Sequence, residues 1–280
     1  MEDCFYFKNK TYNLFGCLHK PEKSERQNDI GLIICSPFAD EKLWSHRVIV
    51  SFARYLSDNG FFVFRFDYMG HGDSEGSFED SNIQTRLSDI KCAIDIIKEK
   101  SQIHKVGLLG LRLGATLAAL CAEDKVCPNF MVLWEPIINV DKYLKQCLRS
   151  NLTTQMATYK EIKYTREQMI EDLLSGHSVN IDGYMMSSTF YQQASSVDLG
   201  KMYLTYSNPV CVVHISKSDI GKAPKSITEL YQKYYQLNSS AELKTIIEKP
   251  FWSDVKAYYQ MAEDLFSSTL YWLNQLDSLD

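Results

Sequence analysis

The sequence predicts a doubly wound α/β protein with a mostly parallel sheet, and three observations carry that prediction. Apolar, β-rich runs alternate with helical patterns along most of the chain. Five of those runs, IGLIIC, FFVFRF, VGLLGL, FMVLW and VCVVHI, are apolar almost throughout, as strands covered on both faces must be. Between two of them Ile83, Leu87, Ile90, Ile94 and Ile97 fall at steps of four, three, four and three, the spacing of one helical stripe. In such a sheet, ligands bind at the carboxyl ends of the strands.

The elements follow in order. Cys4 to Phe7 and Tyr12 to His19 read as a hairpin, followed by strands at Ile30 to Cys35, Phe61 to Asp67, Lys105 to Leu109, Phe130 to Trp134, Pro209 to Ile215 and Leu243 to Ile247. The Ile83 to Ile97 helix is expected to turn Arg86, Lys91, Asp95 and Lys98 away from the sheet. From Pro136 to Ser207 no strong strand is found, but Val140 to Arg149 and Arg166 to Leu174 read as helical, among Met156, Met169, Met185, Met186 and many tyrosines. That is far too long for a plain connection, so it should carry its own structure and lie over the strand ends as a lid. The expected division is a core of residues 1–135 and 208–280 with an inserted lid at 136–207. Val255 to Leu276 closes the chain as an amphipathic helix, with Tyr258, Ala262, Leu265, Phe266, Thr269, Leu270 and Leu273 on one side.

Composition narrows the function classes. A chain of 280 residues, 45% hydrophobic and 23% charged, is neither disordered, collagen-like nor a coiled coil. A net charge of -5, with no basic run, argues against nucleic acid or an anionic membrane as the main partner. The N-terminus MEDCFYFKNKTYN has no signal-peptide pattern and no apolar stretch approaches membrane-spanning length, so a soluble, cytoplasmic protein is expected. The eight cysteines show no C-x-x-C pair and no cluster with histidine, so free, mostly buried thiols are expected and neither zinc nor a disulfide framework. No phosphate loop, dinucleotide fingerprint or metal-ligand cluster occurs, and no cofactor is expected.

The motifs point further. Phe64 to Gly76, FRFDYMGHGDSEG, resembles the Asp-x-x-Gly-x-Gly-x-Ser signature of α/β-hydrolases of the serine aminopeptidase and monoacylglycerol lipase type. The strand ending at Leu109 runs into Gly110-Leu111-Arg112-Leu113-Gly114 and a helix of small apolar residues, the context of a G-x-S-x-G nucleophile elbow whose serine position holds Arg112. Ser36 to Glu41 followed by Arg47, the Gly-Leu-Arg-Leu-Gly-Ala elbow, Leu133 to Pro136 and Pro250 to Trp252 are together similar to hydrolase-like proteins associated with exosortase systems. The resemblance implies an α/β-hydrolase fold and says little about a reaction.

What that resemblance would need for catalysis is incomplete. Its triad runs nucleophile, acid, histidine along the chain, with the histidine after the last strand. The histidines are His19, His46, His71, His104, His177 and His214, so none follows the last strand, where the chain reads Glu248-Lys249-Pro250-Phe251-Trp252. Asp219 stands at the distance expected of the acid. A second G-x-S-x-G, Gly72 to Gly76, lacks the strand-turn-helix context, and Ser74 reads as a loop residue. Cys35 reads as a buried structural thiol, His46 as a surface or helix-start position, His71 as part of its Gly-His-Gly turn, and Arg149 as a solvated helix charge. Phe251 and Trp252 could wall the pocket or simply pack the core.

Arg112 poses a physical problem, because a guanidinium at a helix N-terminus meets the positive end of the helix dipole and loses hydration. Something negative must lie near: Glu135 at the adjacent strand end, or Asp40 or Glu41 on the loop. One reading is an internal ion pair of Arg112 with Glu135, joined by Glu41, filling the former active site. The other is an anion site in which helix N–H groups and the guanidinium fork receive a carboxylate or phosphate of an acyl-bearing small molecule. The residues expected to face it are Arg112, Leu113, Phe38, Ala39, Glu41, Glu135 and Trp252. The function expected is a non-catalytic ligand-binding or scaffold protein, the alternative an ester, amide or thioester hydrolase with a rearranged site.

Overall fold

Ten strands and eight helices occur among the residues that the computed structural model describes, which are 1–22, 29–124, 128–218, 222–253 and 261–276. The strands are β1 (Glu2–Asn9), β2 (Tyr12–His19), β3 (Ile30–Cys35), β4 (Phe62–Phe66), β5 (Lys105–Leu111), β6 (Met131–Trp134), β7 (Val179–Ile181), β8 (Tyr184–Met186), β9 (Val210–Ser216) and β10 (Glu242–Ile247). The helices are α1 (Asp40–Asp58), α2 (Ile83–Ser101), α3 (Leu113–Ala122), α4 (Val140–Tyr159), α5 (Arg166–Leu174), α6 (Ser188–Ser195), α7 (Lys225–Leu237) and α8 (Glu263–Leu276).

Eight strands join in the order β1-β2-β4-β3-β5-β6-β9-β10, antiparallel at β1-β2-β4 and parallel beyond. The register aligns the carboxyl ends: Cys35 lies opposite Gly110, Leu111 opposite Trp134, and Trp134 opposite Val213. Alternate side chains enter two cores, as the twofold period of a strand requires. Ile33, Leu108, Leu133 and Val212 pack on one face, which α2 and α3 cover. Leu32, Ile34, Leu109, Val132 and Val213 pack on the other, with Phe52 of α1 and Phe266 and Trp272 of α8.

Several expectations need correction. Arg86 does not face solvent: it is completely buried, its guanidinium within 5.2 to 6.0 Å of the Phe38, Tyr68, Phe78 and Phe190 ring centres. It sits one position outside the isoleucine stripe, where the β4–α2 loop and α6 close over the helix. Between β6 and β9 the chain forms α4, α5 and α6 and also a two-stranded β7–β8 hairpin, whose strands are too short to register as an apolar run. The C-terminal helix spans Glu263–Leu276; residues 254–260, Tyr258 included, lie outside the described residues. Cys4 and Cys17 are not free thiols. The hairpin register sets them directly opposite each other, Cα atoms 4.0 Å apart, and they form a disulfide. Disulfides persist mainly in oxidising compartments, so this bond bears against the cytoplasmic expectation. Among the described residues no helix is long and apolar enough to cross a membrane.

Candidate functional site

The site is built where β3, β5 and β6 end. β5 passes through Arg112, at φ 57° and ψ -120°, directly into α3. The flanking glycines are required by close approach: a Cβ on Gly114 would lie 2.0 Å from the carbonyl oxygen of Cys35, and one on Gly110 would lie 2.3 Å from the backbone of Gly114 and Ala115. The first turn of α3 therefore rests on the end of β3. The Arg112 amide donates to the Trp134 carbonyl at 3.0 Å, which ties the elbow to β6. Three non-glycine residues with positive φ, Ala39 (49°), Arg112 (57°) and Glu135 (43°), stand past the ends of these three strands. Such conformations cost roughly 1–3 kcal/mol each and gather where a site demands them.

The Arg112 side chain turns toward α1. Its Nε donates to Glu41 Oε1 at 3.1 Å, and its guanidinium carbon lies 5.6 Å from the Tyr143 ring centre and 5.5 Å from that of Trp252. Both members of the pair are largely enclosed, with 19% and 15% of their side chains exposed. Burial raises the Glu41 carboxyl above its ordinary range, and the Arg112 charge and the nearby Tyr143 hydroxyl oppose that shift. Glu41 Oε2 is fully buried and has no hydrogen-bond partner among the described residues.

Glu135 has a different partner from the one expected. Its Oε2 accepts from the Ile215 amide and from Nδ1 of His214, each at 2.8 Å. The cause is register: Trp134 pairs with Val213, so the next residue of each strand meets the other, and the Glu135 amide donates to the Val213 carbonyl. Asp40 does not pair with Arg112 either; it lies on the same cavity wall as the Tyr184 hydroxyl, whose proximity opposes the upward shift that burial gives its carboxyl.

Arg112, Tyr143 and Gln146 line two cavities. One, of about 220 Å³, is also lined by Phe38, Asp40, Glu41, Trp44, Asp182 and Tyr184. The other, of about 470 Å³, is lined by Glu135, Asn139, Lys142, Asp198, Lys201 and Glu229. Of the remaining expected residues, Phe38 is buried and stacked on Phe190 at 4.9 Å, and Ala39 lines the smaller cavity. Leu113 is buried, its amide without an acceptor among the described residues. Trp252 packs in the core, 7% exposed, with its ring near the Arg112 guanidinium, and lines neither cavity. Asp219 lies outside the described residues.

Other sequence candidates are structural. Ser74 Oγ accepts from the Phe15 amide and donates to the Asp67 carbonyl. His71 is buried with Nδ1 on the Met69 carbonyl and Nε2 on Arg86 at 2.8 Å. Cys35 is fully buried, and burial raises its thiol far above the ordinary range. Arg149 is exposed, and His46 lines a separate cavity with Lys42 and Asp67. Sequence reasoning missed Trp44, Tyr143, Asp182 and Tyr184. Three of these come from the segment between β6 and β9, where only the abundance of tyrosine hinted at them. Among the described residues no group of three His, Cys, Asp or Glu could hold a metal ion.

A mostly parallel sheet whose fifth strand turns sharply through a strained residue into a helix defines the α/β-hydrolase fold. Solved structures agree: Est1E from Butyrivibrio proteoclasticus, with ferulic acid bound, superimposes with a TM-score of 0.66 over 98% of this chain and 99% of its own, at 16% identity. An esterase from Pyrococcus furiosus does so with a TM-score of 0.62 over 98% and 91%, at 15% identity. Residues 26–206 match the serine aminopeptidase S33 family, and the chain belongs to it. Curated relatives include an acyl transferase of Photobacterium phosphoreum, 28% identical over 61% of this chain and 49% of the relative. The human protein ABHD12B is 38% identical over 36% of this chain and 28% of its own length. The chain thus spans at most about half of these relatives.

Proposed function

We propose that this chain is a ligand-binding member of the α/β-hydrolases, receiving the anionic group of a carboxylate- or acyl-bearing small molecule at the β5–α3 elbow. The observation that carries this reading is Arg112 itself. It stands in the strained elbow conformation where serine hydrolases of this fold hold their nucleophile, and a guanidinium has no nucleophilic electron pair to offer. Its two Nη groups make no hydrogen bond with described residues, and the Leu113 amide beside them is likewise free to meet an oxyanion. The segment 136–207 acts as the lid, since α4 and the β7–β8 turn supply Tyr143, Gln146 and Asp182 to the cavity walls.

A second reading has its own observation. Glu135 and His214 form a carboxylate–imidazole dyad at neighbouring strand ends, the pairing that orients a general base. With acyl transferases and esterases among the similar proteins, a hydrolase or acyl-transfer enzyme with a rearranged site is the alternative. One experiment separates the two: thermal-shift and calorimetric screening of fatty acids, acyl phosphates and polyprenyl phosphates, beside labelling with a fluorophosphonate probe. Stabilisation by an anion that is lost in Arg112→Ala, with no labelled serine, supports binding. A labelled serine overturns it.

A further inference from the structure

The two cavities that share Arg112 differ in chemistry. In the smaller one the walls are aromatic, with Phe38, Trp44, Tyr143 and Tyr184, and the charged groups are Asp40, Glu41, Asp182 and Arg112. Arg112 is already engaged by Glu41, so Asp40 and Asp182 are left as two carboxylates with no ion-pair partner among the described residues. Burial first, and the charge of Asp182 second, raise the Asp40 carboxyl above its ordinary range. Glu41 adds its charge to the same wall, with Oε2 fully buried. A cavity with net negative charge and aromatic faces asks for a cation.

From this geometry we infer that the smaller cavity is a binding site for a small organic cation, a methylated ammonium group, seated between Trp44 and Tyr184 and held by the field of Asp40 and Asp182. Methylated ammonium fits better than a primary amine or a metal ion because the two acids are partly occupied as hydrogen-bond acceptors. Asp182 Oδ1 accepts from Asn151 at 2.9 Å and Asp40 stands beside the Tyr184 hydroxyl, so they offer charge more than free lone pairs. An ammonium stripped of N–H donors loses little by that and gains the ring faces. The volume of about 220 Å³ admits such a head group. The site shares Arg112, Tyr143 and Gln146 with the larger cavity but has its own acids and aromatic rings, and it stands whether or not that cavity takes an anion.

The test is calorimetric titration of the full chain with choline and with 3,3-dimethylbutan-1-ol, its uncharged isostere. Choline is expected to bind at least about tenfold more tightly than the isostere, since the charge is what the aromatic and acidic walls recognise. Asp182→Asn preserves the turn, because Asn tolerates the positive φ of 52° found there, and is expected to weaken choline binding about tenfold with an unchanged melting temperature. Trp44→Leu, at a partly exposed position, is expected to do the same. Equal affinity for choline and the isostere would reduce the cavity to an apolar pocket and overturn the assignment. So would the absence of choline binding to the folded chain, or undiminished binding in both variants. Co-sedimentation with phosphatidylcholine vesicles, competed by free choline, tells a lipid head group from a free metabolite, and either result keeps the site. Loss of anion binding in Arg112→Ala with choline binding intact separates this site from the elbow reading.

Discussion

The Nε of Arg112 lies 3.1 Å from Oε1 of Glu41, so the residue at the β5–α3 elbow is anchored to the first turn of α1 rather than to the adjacent strand end. Glu41 is buried enough that its carboxyl titrates above its ordinary value even with the guanidinium beside it. An acid with a raised folded-state pKa binds its proton more tightly folded than unfolded, so the cost of its burial appears as pH rises through and above the ordinary carboxylate range. Arg112→Ala removes the opposing charge and raises that pKa further. The variant is expected to lose about 1–3 kcal/mol near pH 8, with the loss shrinking toward pH 5. Urea denaturation at both values checks this, and Glu41→Gln in the Arg112→Ala background should restore most of the difference.

Gly114→Ala is expected to be far more damaging than its size suggests. The new Cβ would meet the Cys35 carbonyl oxygen at 2.0 Å, a backbone atom fixed in the middle of the sheet, and it cannot rotate away. Either α3 lifts from β3 or the strand distorts, at about 3 kcal/mol or more. Gly176→Ala is the control for space: nothing lies within 4 Å of its added Cβ, so only the strain of φ +98° remains. Gly114 carries no such strain, so its loss, read from urea midpoints and larger than that of Gly176→Ala, is due to the close approach.

The Cys4–Cys17 bond closes a loop across the first hairpin with a sequence separation of 13. In the chain-entropy account a loop of this length contributes about 3 kcal/mol by restricting the unfolded chain. The double variant Cys4→Ser, Cys17→Ser is expected to lose about 2–3 kcal/mol, and reductant should bring the parent chain to the same midpoint. Peptide mapping without reduction should recover the two segments linked; insensitivity to reductant would show an unlinked hairpin.

His19 is held neutral by burial first and by the Arg65 charge second, which push its pKa down to about 4. Arg65 Nε donates to its Nε2 at 2.9 Å, a contact that a protonated ring cannot accept. The unfolded chain takes up this proton near pH 6.5, so the stabilisation is complete above that value and is lost progressively as pH falls from 6.5 toward 4. His19→Gln keeps an acceptor for Arg65 and removes the titration. Its denaturation midpoint should therefore fall less steeply than the parent's across that window.

How much of this was legible depends on the range of the interaction. The β3 boundaries, Ile30 and Cys35, coincide with the apolar run because a strand covered on both faces has nothing but its own sequence to define it. The elbow was legible for a related reason: Gly110 is forced by the Gly114 and Ala115 backbone within one strand, turn and helix, although Gly114 is forced by Cys35 of β3, which spacing does not name. Arg86 was misjudged because a stripe assigns faces only to its own helix, whereas Phe78 and Phe190, which cover it, arrive from elsewhere in the chain. The partners of Glu135 and Cys4 were hidden because register, not spacing, sets them. Trp44, Tyr143 and Tyr184 could not be assembled into one wall before the segment between β6 and β9 had a path.

Arg112→Ser gives the sharpest test of what the elbow is. It would create Gly-Leu-Ser-Leu-Gly in a turn whose φ and ψ already suit a nucleophile, next to the unbonded Leu113 amide. Attack on an ester still requires a base within hydrogen-bond reach of the new hydroxyl, and residues 215–280 contain no histidine. His214 is a chemical substitute, but its Nδ1 is committed to Glu135, and it stands on β9 rather than after β10. Removing the guanidinium also leaves Glu41 unpaired in the wall, a negative group where an oxyanion would form. The expected outcome is background turnover of p-nitrophenyl acetate and no acyl-enzyme burst, whether alone or combined with Glu41→Gln. A burst abolished by His214→Gln would instead mean that Glu135 and His214 can serve as a working base pair, and the enzyme reading would take precedence over the binding one.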